Sequence, residues 1–237
     1  MSSGNPSHNW NPVVDREFFE LATAKPGLGG LFHTGCPEHQ FEGKYRLQPG
    51  DTFVEAGAFW GRYGLIASKR VGPEGKVVLI EGNPQNIDVI EGVIKHYSLS
   101  NVTLVKGIVW SRDEYTKMCV WGNPAGSRRA LDSDLVNYPD SVVDVRAYIL
   151  DALLPELGVQ NVDLLACDVE GAEVEMVLGA DRYLGEGRIR NVALAAYHQA
   201  GFPERIMDFL RNKGFIDLFY SYDLPQFGGI VYGRRPK

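Results

Sequence analysis

The sequence has few cysteines and no long apolar run. Its three cysteines, Cys36, Cys119 and Cys167, are an odd number and widely spaced, which argues against a disulfide framework and fits a reducing compartment. No run reaches the roughly 18 apolar residues that a membrane helix needs. The polar N-terminus also lacks the cationic and apolar stretches of a signal peptide. We therefore expect a cytoplasmic protein without a membrane span.

Basic residues are in the minority as well. The chain carries 24 Lys and Arg against 30 Asp and Glu, a formal charge of -6, and no block of like charges forms a basic arm. Attraction to a phosphate backbone is therefore not a dominant feature. We expect no nucleic acid partner, and the sequence carries no signal for an oligomeric state.

What the chain does have is enough apolar sequence for one sizeable core. Of its 237 residues, 44% are hydrophobic, the composition of a globular domain. Residues 1–49 are rich in Gly, Pro, His and Asn, with one plausible helix from Val14 to about Ala24. We predict that residues 1–49 form an extension or lid and that residues 50–237 form a single domain.

From residue 50 onward, short apolar runs alternate with segments of helical periodicity, as in βαβ units on a parallel sheet. We predict an α/β fold with a doubly wound sheet of about seven strands that ends in an antiparallel hairpin. The predicted strands are Thr52–Ala56, Lys76–Ile80, Val102–Val105, Val162–Cys167, Val192–Tyr197, Phe215–Tyr220 and Gly229–Tyr232. Residues 107–145 are less regular, with short β-like pieces near residues 119–121 and 142–145.

Residues at the ends of the first two strands indicate a ligand site, because ligands bind beyond the carboxyl ends of parallel strands. Gly57 and Gly61 bound a tight turn into a helix, where backbone approaches a ligand closely; plain packing is the alternative. Glu81 ends the second strand, where a carboxylate can accept both hydroxyls of a ribose, although an exposed glutamate is equally ordinary there. Together they predict an adenosine-type cofactor.

The turn also discriminates between cofactors. A dinucleotide fingerprint, G-x-G-x-x-G, needs a second glycine so that pyrophosphate can touch the backbone. Phe59 occupies that position here. We therefore predict S-adenosylmethionine, which keeps the adenosine but carries no phosphate.

The string from Asp168 to Glu173, DVEGAE, follows a buried strand directly and begins the next helix. At least one of its carboxylates is expected to face the pocket. In the alternative interpretation, Asp168 caps the helix and the glutamates interact with its dipole. His198 follows the next strand, and its ordinary pKa near 6.5 suits a general base, with Asp168 or Glu170 orienting it or acting directly. A hydrogen-bonded structural histidine is the alternative.

Two other features carry weaker signals. His33, Cys36 and His39 have a spacing that matches no strong zinc pattern and lack an evident fourth ligand, so we predict no metal site. The adjacent Arg128 and Arg129 could grip an anionic or sugar substrate, or lie on a solvated loop.

Taken together, the strings VEAGAFWGRYG, IEGNP, Leu150-Asp151 and DLLACDVEGAEVEMVLGA resemble the FkbM family of S-adenosylmethionine-dependent methyltransferases over roughly residues 50–200. The resemblance implies a class I methyltransferase (Rossmann-like) fold and O-methylation of hydroxyls on sugars, glycans or polyketide-like molecules. It matches Glu55 and Gly57 to the cofactor loop, Glu81 to the ribose-binding acid and Asn83 to its neighbour. The full set of expected cofactor contacts is Glu55, Gly57, Phe59, Gly61, Glu81, Asn83, Gly107, Ile108 and Asp168.

The chain departs from the family pattern at three positions. Gly82 replaces the proline of EPNP, Ala166 replaces a lysine, and Ala196 replaces a carboxylate two residues before His198. The expected catalytic residues are His198, Asp168 and Glu170, acting on a small-molecule or glycan acceptor. Two alternatives stay open: an RNA or protein methyltransferase on the same fold, and a non-catalytic protein that binds S-adenosylmethionine.

Overall fold

A seven-stranded sheet forms the centre of the protein in a computed structural model. The structure describes residues 41, 43–121, 126–221 and 229–236, all of which fall within the compact unit Cys36–Lys237. The predicted helix from Val14 and the group of His33, Cys36 and His39 lie outside the described residues. The division of the chain at residues 49 and 50 stays a prediction.

Two sheets contain all the strands of the described part of the chain. The strands are β1 (Thr52–Ala56), β2 (Lys76–Glu81), β3 (Val102–Lys106), β4 (Ile108–Val109), β5 (Glu114–Cys119), β6 (Arg128–Arg129), β7 (Val142–Tyr148), β8 (Val162–Cys167), β9 (Ile189–Ala195), β10 (Ile216–Ser221) and β11 (Ile230–Arg234). The large sheet has the order β10-β11-β9-β8-β1-β2-β3, and the small one the order β4-β7-β5-β6. In the large sheet, six strands run in the same direction, and β11 runs in the opposite direction between β9 and β10. This arrangement confirms the predicted class I fold and its C-terminal hairpin.

Helices lie between strands of both sheets along the chain. They are α1 (Arg62–Val71), α2 (Pro84–His96), α3 (Asp132–Asn137), α4 (Leu150–Glu156), α5 (Glu173–Gly179), α6 (Asp181–Gly185) and α7 (Phe202–Asn212), with a short 3₁₀ turn at Pro139–Ser141. Across the described ranges, no helix combines the length and apolarity needed to cross a membrane.

The core lies on both faces of the central strands. Successive side chains of a strand point to opposite faces, so in β1 Val54 packs in one apolar cluster and Phe53 in the other. The neighbouring β8 divides in the same way, with Leu165 on the first face and Leu164 on the second. Burial on both faces explains why these strands are continuous apolar runs in the sequence.

The small sheet is the part of the fold that the sequence pattern did not resolve. Its main pair is β5 with β7, antiparallel from Glu114 opposite Ala147 to Cys119 opposite Val142. The β-like pieces predicted near residues 119–121 and 142–145 are the ends of these two longer strands. Because β5 exposes Tyr115 and buries only Met118 and Cys119, its sequence lacks the apolar run that marks the strands of the large sheet.

Alanine substitution at two helical glycines distinguishes the effect of close packing on stability from the effect of helix propensity. A Cβ on Gly179, in α5, would lie 2.2 Å from the Trp110 carbonyl oxygen, whereas a Cβ on Gly92, in α2, meets nothing within 4 Å. We expect Gly179→Ala to lower the free energy of unfolding by about 1–3 kcal/mol through overpacking. Gly92→Ala should raise it by about 0.5–1 kcal/mol. Urea unfolding followed by circular dichroism measures both, and equal effects of the two substitutions would contradict the close packing.

Candidate active site

The site forms where four neighbouring parallel strands end. The order β9-β8-β1-β2 in the large sheet brings the residues at and after those strand ends to one edge. Glu55 lies within β1, Glu81 ends β2, Asp168 follows β8, and His198 follows β9. The structure therefore places these four predicted residues on the same side of the molecule.

The turn after β1 touches the turn after β8. Asp168 donates its backbone N–H to the Ala56 carbonyl at 3.0 Å. Gly57 has a φ of 80°, and a Cβ there would lie 1.9 Å from the Asp168 carbonyl oxygen. Only glycine fits this position, because any side chain would push the two turns apart.

Phe59 and Gly61 shape the rest of this turn. Both have left-handed backbones, with φ of 51° and 73°, and Gly61 is the N-cap residue of α1. The Phe59 ring stacks on Trp60 with 4.5 Å between ring centroids, and the Trp60 indole N–H donates to Asn86 at 3.0 Å. The turn is thus held in one shape by a buried indole.

Glu81 ties that turn to the start of α2. Its two carboxyl oxygens accept backbone N–H groups from Phe59 at 2.9 Å and from Asn83 at 2.7 Å. Burial raises the pKa of Glu81 to about 7, although the hydrogen bonds from Asn83 and Phe59 oppose that rise. The predicted contact with a ribose stays a prediction, and the structure adds that Glu81 organises both flanking turns.

Asn83, Gly107 and Ile108 connect the cofactor side of the site to the small sheet. The Asn83 side chain caps α2 by accepting the Gln85 N–H at 2.9 Å, and its amide donates to Ser127 at 2.9 Å. Gly107 donates its N–H to the Glu81 carbonyl at 2.9 Å, and Ile108 begins β4. Both polar atoms of the Asn83 side chain therefore have protein partners.

Gly82 shows a physical reason for one departure from the family pattern. A Cβ at this position would lie 2.6 Å from Ile108 Cγ2 and 2.8 Å from Met118 Sδ. Proline carries such a Cβ, so the EPNP sequence of the family pattern would require Ile108 and Met118 to shift. The glycine is a consequence of how the small sheet packs here.

Glu55 is buried with one oxygen unpaired. Its side chain faces the site with 4% of the residue exposed, and Oε2 has no hydrogen-bond partner among the residues that the structure describes. Burial, followed by repulsion from Glu81 and Asp168, raises the pKa of Glu55 well above its ordinary value. A donor or cationic group from a ligand would satisfy this oxygen.

Asp168, Glu170 and His198 meet on the other half of the site. His198 Nε2 lies 3.6 Å from Asp168 Oδ1 and 3.4 Å from Glu170 Oε2. The three side chains are 22%, 34% and 11% exposed in that order, so the cluster opens to solvent on the Glu170 side. The structure brings together all three residues that the sequence analysis named as catalytic.

Two further residues hold this cluster and were not predicted as site residues. The Tyr197 hydroxyl donates to the Asp168 carboxyl group, and its oxygen lies 2.9 Å from Oδ2 and 3.1 Å from Oδ1. Glu173 Oε1 lies 2.8 Å from His198 Nδ1 and accepts the N–H groups of Val169 and Gly171. β9 ends at Ala195, two residues earlier than predicted, so Tyr197 belongs to the loop at the site. The sequence signal that could have identified Tyr197 as a site residue was its position next to His198.

The carboxyl groups around His198 change its proton affinity. Burial lowers the pKa of His198, but pairing with Glu170 and Glu173 outweighs burial and raises it to about 10. Burial also raises the pKa of Asp168 to about 7, against the lowering effects of His198 and Tyr197. The surrounding carboxyl groups therefore hold the pKa of His198 well above the value near 6.5 assumed for a histidine base.

Arg128 and Arg129, which could grip a substrate or lie on a solvated loop, pair with carboxyl groups of α3 and the small sheet. Arg128 binds Asp134 through both guanidinium nitrogens, at 2.8 Å and 3.0 Å. Arg129 pairs with Glu114 at 3.1 Å. Both guanidinium groups therefore have carboxyl partners within the protein.

Burial of Glu81 predicts a particular dependence of stability on pH. Its pKa rises from 4.5 to about 7 in the folded chain, so the native state binds more protons than the unfolded state over that window, and stability falls as pH rises through it. Glu81→Gln should remove about 3 kcal/mol of that fall. Urea unfolding of both proteins between pH 4.5 and 7.5 measures the difference. If the free energy of unfolding changes with pH in the same way in both proteins, the pKa of Glu81 is not raised by burial.

Comparison with known proteins identifies the family. The family model described as the methyltransferase FkbM domain matches residues 52–216, more than half of the chain. Methyltransferase sdnD from Sordaria araneosa is 28% identical over 189 residues, covering 68% of this chain and 72% of that protein.

Solved structures agree in fold. Methyltransferase FkbM from Methylobacillus flagellatus KT is 16% identical with a TM-score of 0.61, covering 95% of this chain and 60% of that one. The chain thus spans about three fifths of that protein's length. Aeropyrum pernix fibrillarin, solved with natively bound S-adenosyl-L-methionine, is 14% identical with a TM-score of 0.50 over 83% of this chain and 72% of that one. The chain therefore belongs to the FkbM methyltransferase family, which confirms the resemblance seen in the sequence and S-adenosylmethionine as the cofactor.

Proposed function

We propose that the protein is an O-methyltransferase that methylates a hydroxyl group of a sugar, a glycan or a polyketide-like small molecule. The observation that carries the proposal is the cluster of Asp168, Glu170 and His198, which lies against the predicted cofactor loop through the contact between Gly57 and the Asp168 carbonyl. Carboxylates and an imidazole are groups that bind and deprotonate hydroxyls.

The residues of the turn after β1 and the end of β2 fit the cofactor. Gly57 leaves the backbone bare beside the site, and the unpaired Glu55 Oε2 suits the ammonium group of a methionyl moiety. Glu81, held by Phe59 and Asn83, is the acid placed for the ribose. S-adenosylmethionine supplies an electrophilic methyl group on a positively charged sulfur.

The cluster's task is to hold the acceptor and receive its proton. Methyl transfer is an in-line displacement, so much of the rate comes from fixing the acceptor oxygen in position. As that oxygen forms its bond to carbon and the carbon–sulfur bond breaks, the hydroxyl proton passes to the cluster. Tyr197 fixes Asp168 and Glu173 fixes His198, so both side chains are oriented before the acceptor arrives.

Cofactor binding can be tested at Gly57, for which the chain offers a matched control. Gly50 has a φ of 87°, similar to that of Gly57, but a Cβ there meets nothing within 4 Å. Both variants place an alanine on a backbone with a similar positive φ, but only Gly57→Ala also adds a clash between its Cβ and the Asp168 carbonyl oxygen. We expect Gly57→Ala to bind S-adenosylmethionine at least ~10-fold more weakly than Gly50→Ala, since it displaces the turn that contacts the cofactor.

Calorimetric titration with S-adenosylmethionine, S-adenosylhomocysteine and NAD measures this difference, with thermal unfolding as the check on folding. The wild type should bind the two sulfur compounds and not NAD. Equal affinity of the two variants would remove the turn after β1 from the cofactor site, and failure of the folded wild type to bind either sulfur compound would overturn the proposed function.

Catalysis is tested separately at His198. His198→Gln should lower turnover by about 10²-fold, because it removes the imidazole that holds the Asp168 and Glu170 carboxyl groups in position for the acceptor, while S-adenosylmethionine affinity stays within a few-fold. The assay measures S-adenosylhomocysteine formed with a panel of glycans and polyhydroxylated natural products. Asp144→Asn, at a side chain 81% exposed on β7, is the control. Turnover with transfer RNA or protein in place of these acceptors would instead support the alternative substrate classes.

A further inference from the structure

The side chains of Asp168, Glu170 and His198 have the spacing of metal ligands. One ligand atom from each lies within 4.8 Å of the other two, and His198 Nε2 is 3.6 Å and 3.4 Å from the two carboxyl oxygens. Ligand atoms at about 2.0–2.1 Å from a shared divalent ion are roughly 3–4 Å apart. A single ion between the three atoms satisfies these distances with little movement.

The groups behind these atoms are arranged as they are behind metal ligands. A ligating histidine usually presents its second ring nitrogen to a carboxylate, and a ligating carboxylate usually accepts a further hydrogen bond. Here His198 Nδ1 lies 2.8 Å from the fully buried Glu173, and Asp168 accepts the Tyr197 hydroxyl. Nε2 is left as the ring atom that faces Asp168 and Glu170.

Unpaired buried atoms provide an independent indication. Glu173 is completely buried, its carboxyl group is directed at His198, and its Oε2 has no hydrogen-bond partner in the part of the chain that the structure describes. The proposed ligand atom, His198 Nε2, also lacks a partner with hydrogen-bond geometry among those residues. Buried polar groups in this condition are unusual in a protein and call for a bound ion or another ligand.

Charge points the same way. Asp168, Glu170 and Glu173 surround His198, which is the one basic side chain paired with them within the described ranges. Several carboxylates in a largely buried site are costly unless cations balance them. A divalent ion supplies that balance with His198 neutral and coordinated through Nε2.

We propose that Asp168, Glu170 and His198 bind a divalent cation of the Mn²⁺ or Mg²⁺ type, and that the acceptor hydroxyl occupies one of its open positions. Two oxygens and one imidazole suit such a hard to borderline ion, and three protein ligands leave positions free. The role assigned to the ion rests on the proposed function, because it polarises the hydroxyl that is to be methylated. This inference departs from the sequence-based prediction of no metal site.

Mn²⁺ binding tests the site without any acceptor. Titration of metal-free protein with Mn²⁺ alone, followed by the electron paramagnetic resonance signal of the free ion, should show one site in the wild type. Electron spin echo modulation should reveal coupling to an imidazole nitrogen. We expect His198→Gln to remove that coupling and to weaken binding at least ~10-fold, since it deletes one ligand of three.

Two more variants make the result specific. Glu170→Gln changes a partly exposed ligand, which keeps the test valid even where the histidine variant does not fold, and it should weaken Mn²⁺ binding while preserving the nitrogen coupling. His96→Gln, at an exposed histidine near the end of α2, should change neither. Absence of binding by the wild type up to millimolar Mn²⁺, or unchanged binding in both ligand variants, would overturn the site.

The outcomes also separate this inference from the proposed function. Calorimetry with S-adenosylmethionine in the presence of EDTA reports the cofactor site alone. Cofactor binding and acceptor turnover that persist in EDTA, with no Mn²⁺ bound, would leave the methyltransferase intact and reject the metal. Mn²⁺ bound through His198 without any cofactor affinity would reject the proposed function and retain the metal site.

Discussion

The contact between the bare backbone at Gly57 and the Asp168 carbonyl is the constraint on which the rest of the site depends. With 1.9 Å between a hypothetical Cβ and that oxygen, the turns after β1 and β8 can approach only because the first has no side chain. This approach sets the proposed cofactor loop, which begins at Gly57, directly against the loop that carries Asp168 and Glu170. The proposed cofactor and acceptor sites are therefore adjacent.

The same approach concentrates negative charge. Glu55, Glu81, Asp168 and Glu173 all reach one strand-end region in which burial opposes ionisation. Three of these carboxyl groups have different partners. Two backbone N–H groups donate to Glu81, the Tyr197 hydroxyl donates to Asp168, and the His198 imidazole lies beside Glu173. Oε2 of Glu55 and Oε2 of Glu173 have no hydrogen-bond partner within the described residues. A site with unpaired carboxyl oxygens suits a cofactor that carries a sulfonium and an ammonium group, both positively charged.

The sequence predicted the large sheet well because its strands are buried on both faces and so read as continuous apolar runs bounded by turn residues. The small sheet escaped prediction because β5 buries only its last two residues, Met118 and Cys119, and β6 has only two residues. Residues at strand ends, such as Glu55, Glu81 and Asp168, were predictable from topology. Tyr197 and Glu173 were not, because their roles come from contacts with Asp168 and His198 that only the folded chain creates, as does the pKa of His198.

Gly82 has a consequence for how relatives of this chain can vary. A Cβ at this position would lie within 3 Å of Ile108 of β4 and Met118 of β5, so these side chains must shift to admit one. A relative with proline at this place is therefore expected to have smaller or differently oriented side chains at the positions of Ile108 and Met118, or a small sheet set further from the end of β2. These three positions form one steric unit, and a graft of residues 107–148 from another member would succeed only when all three are exchanged together.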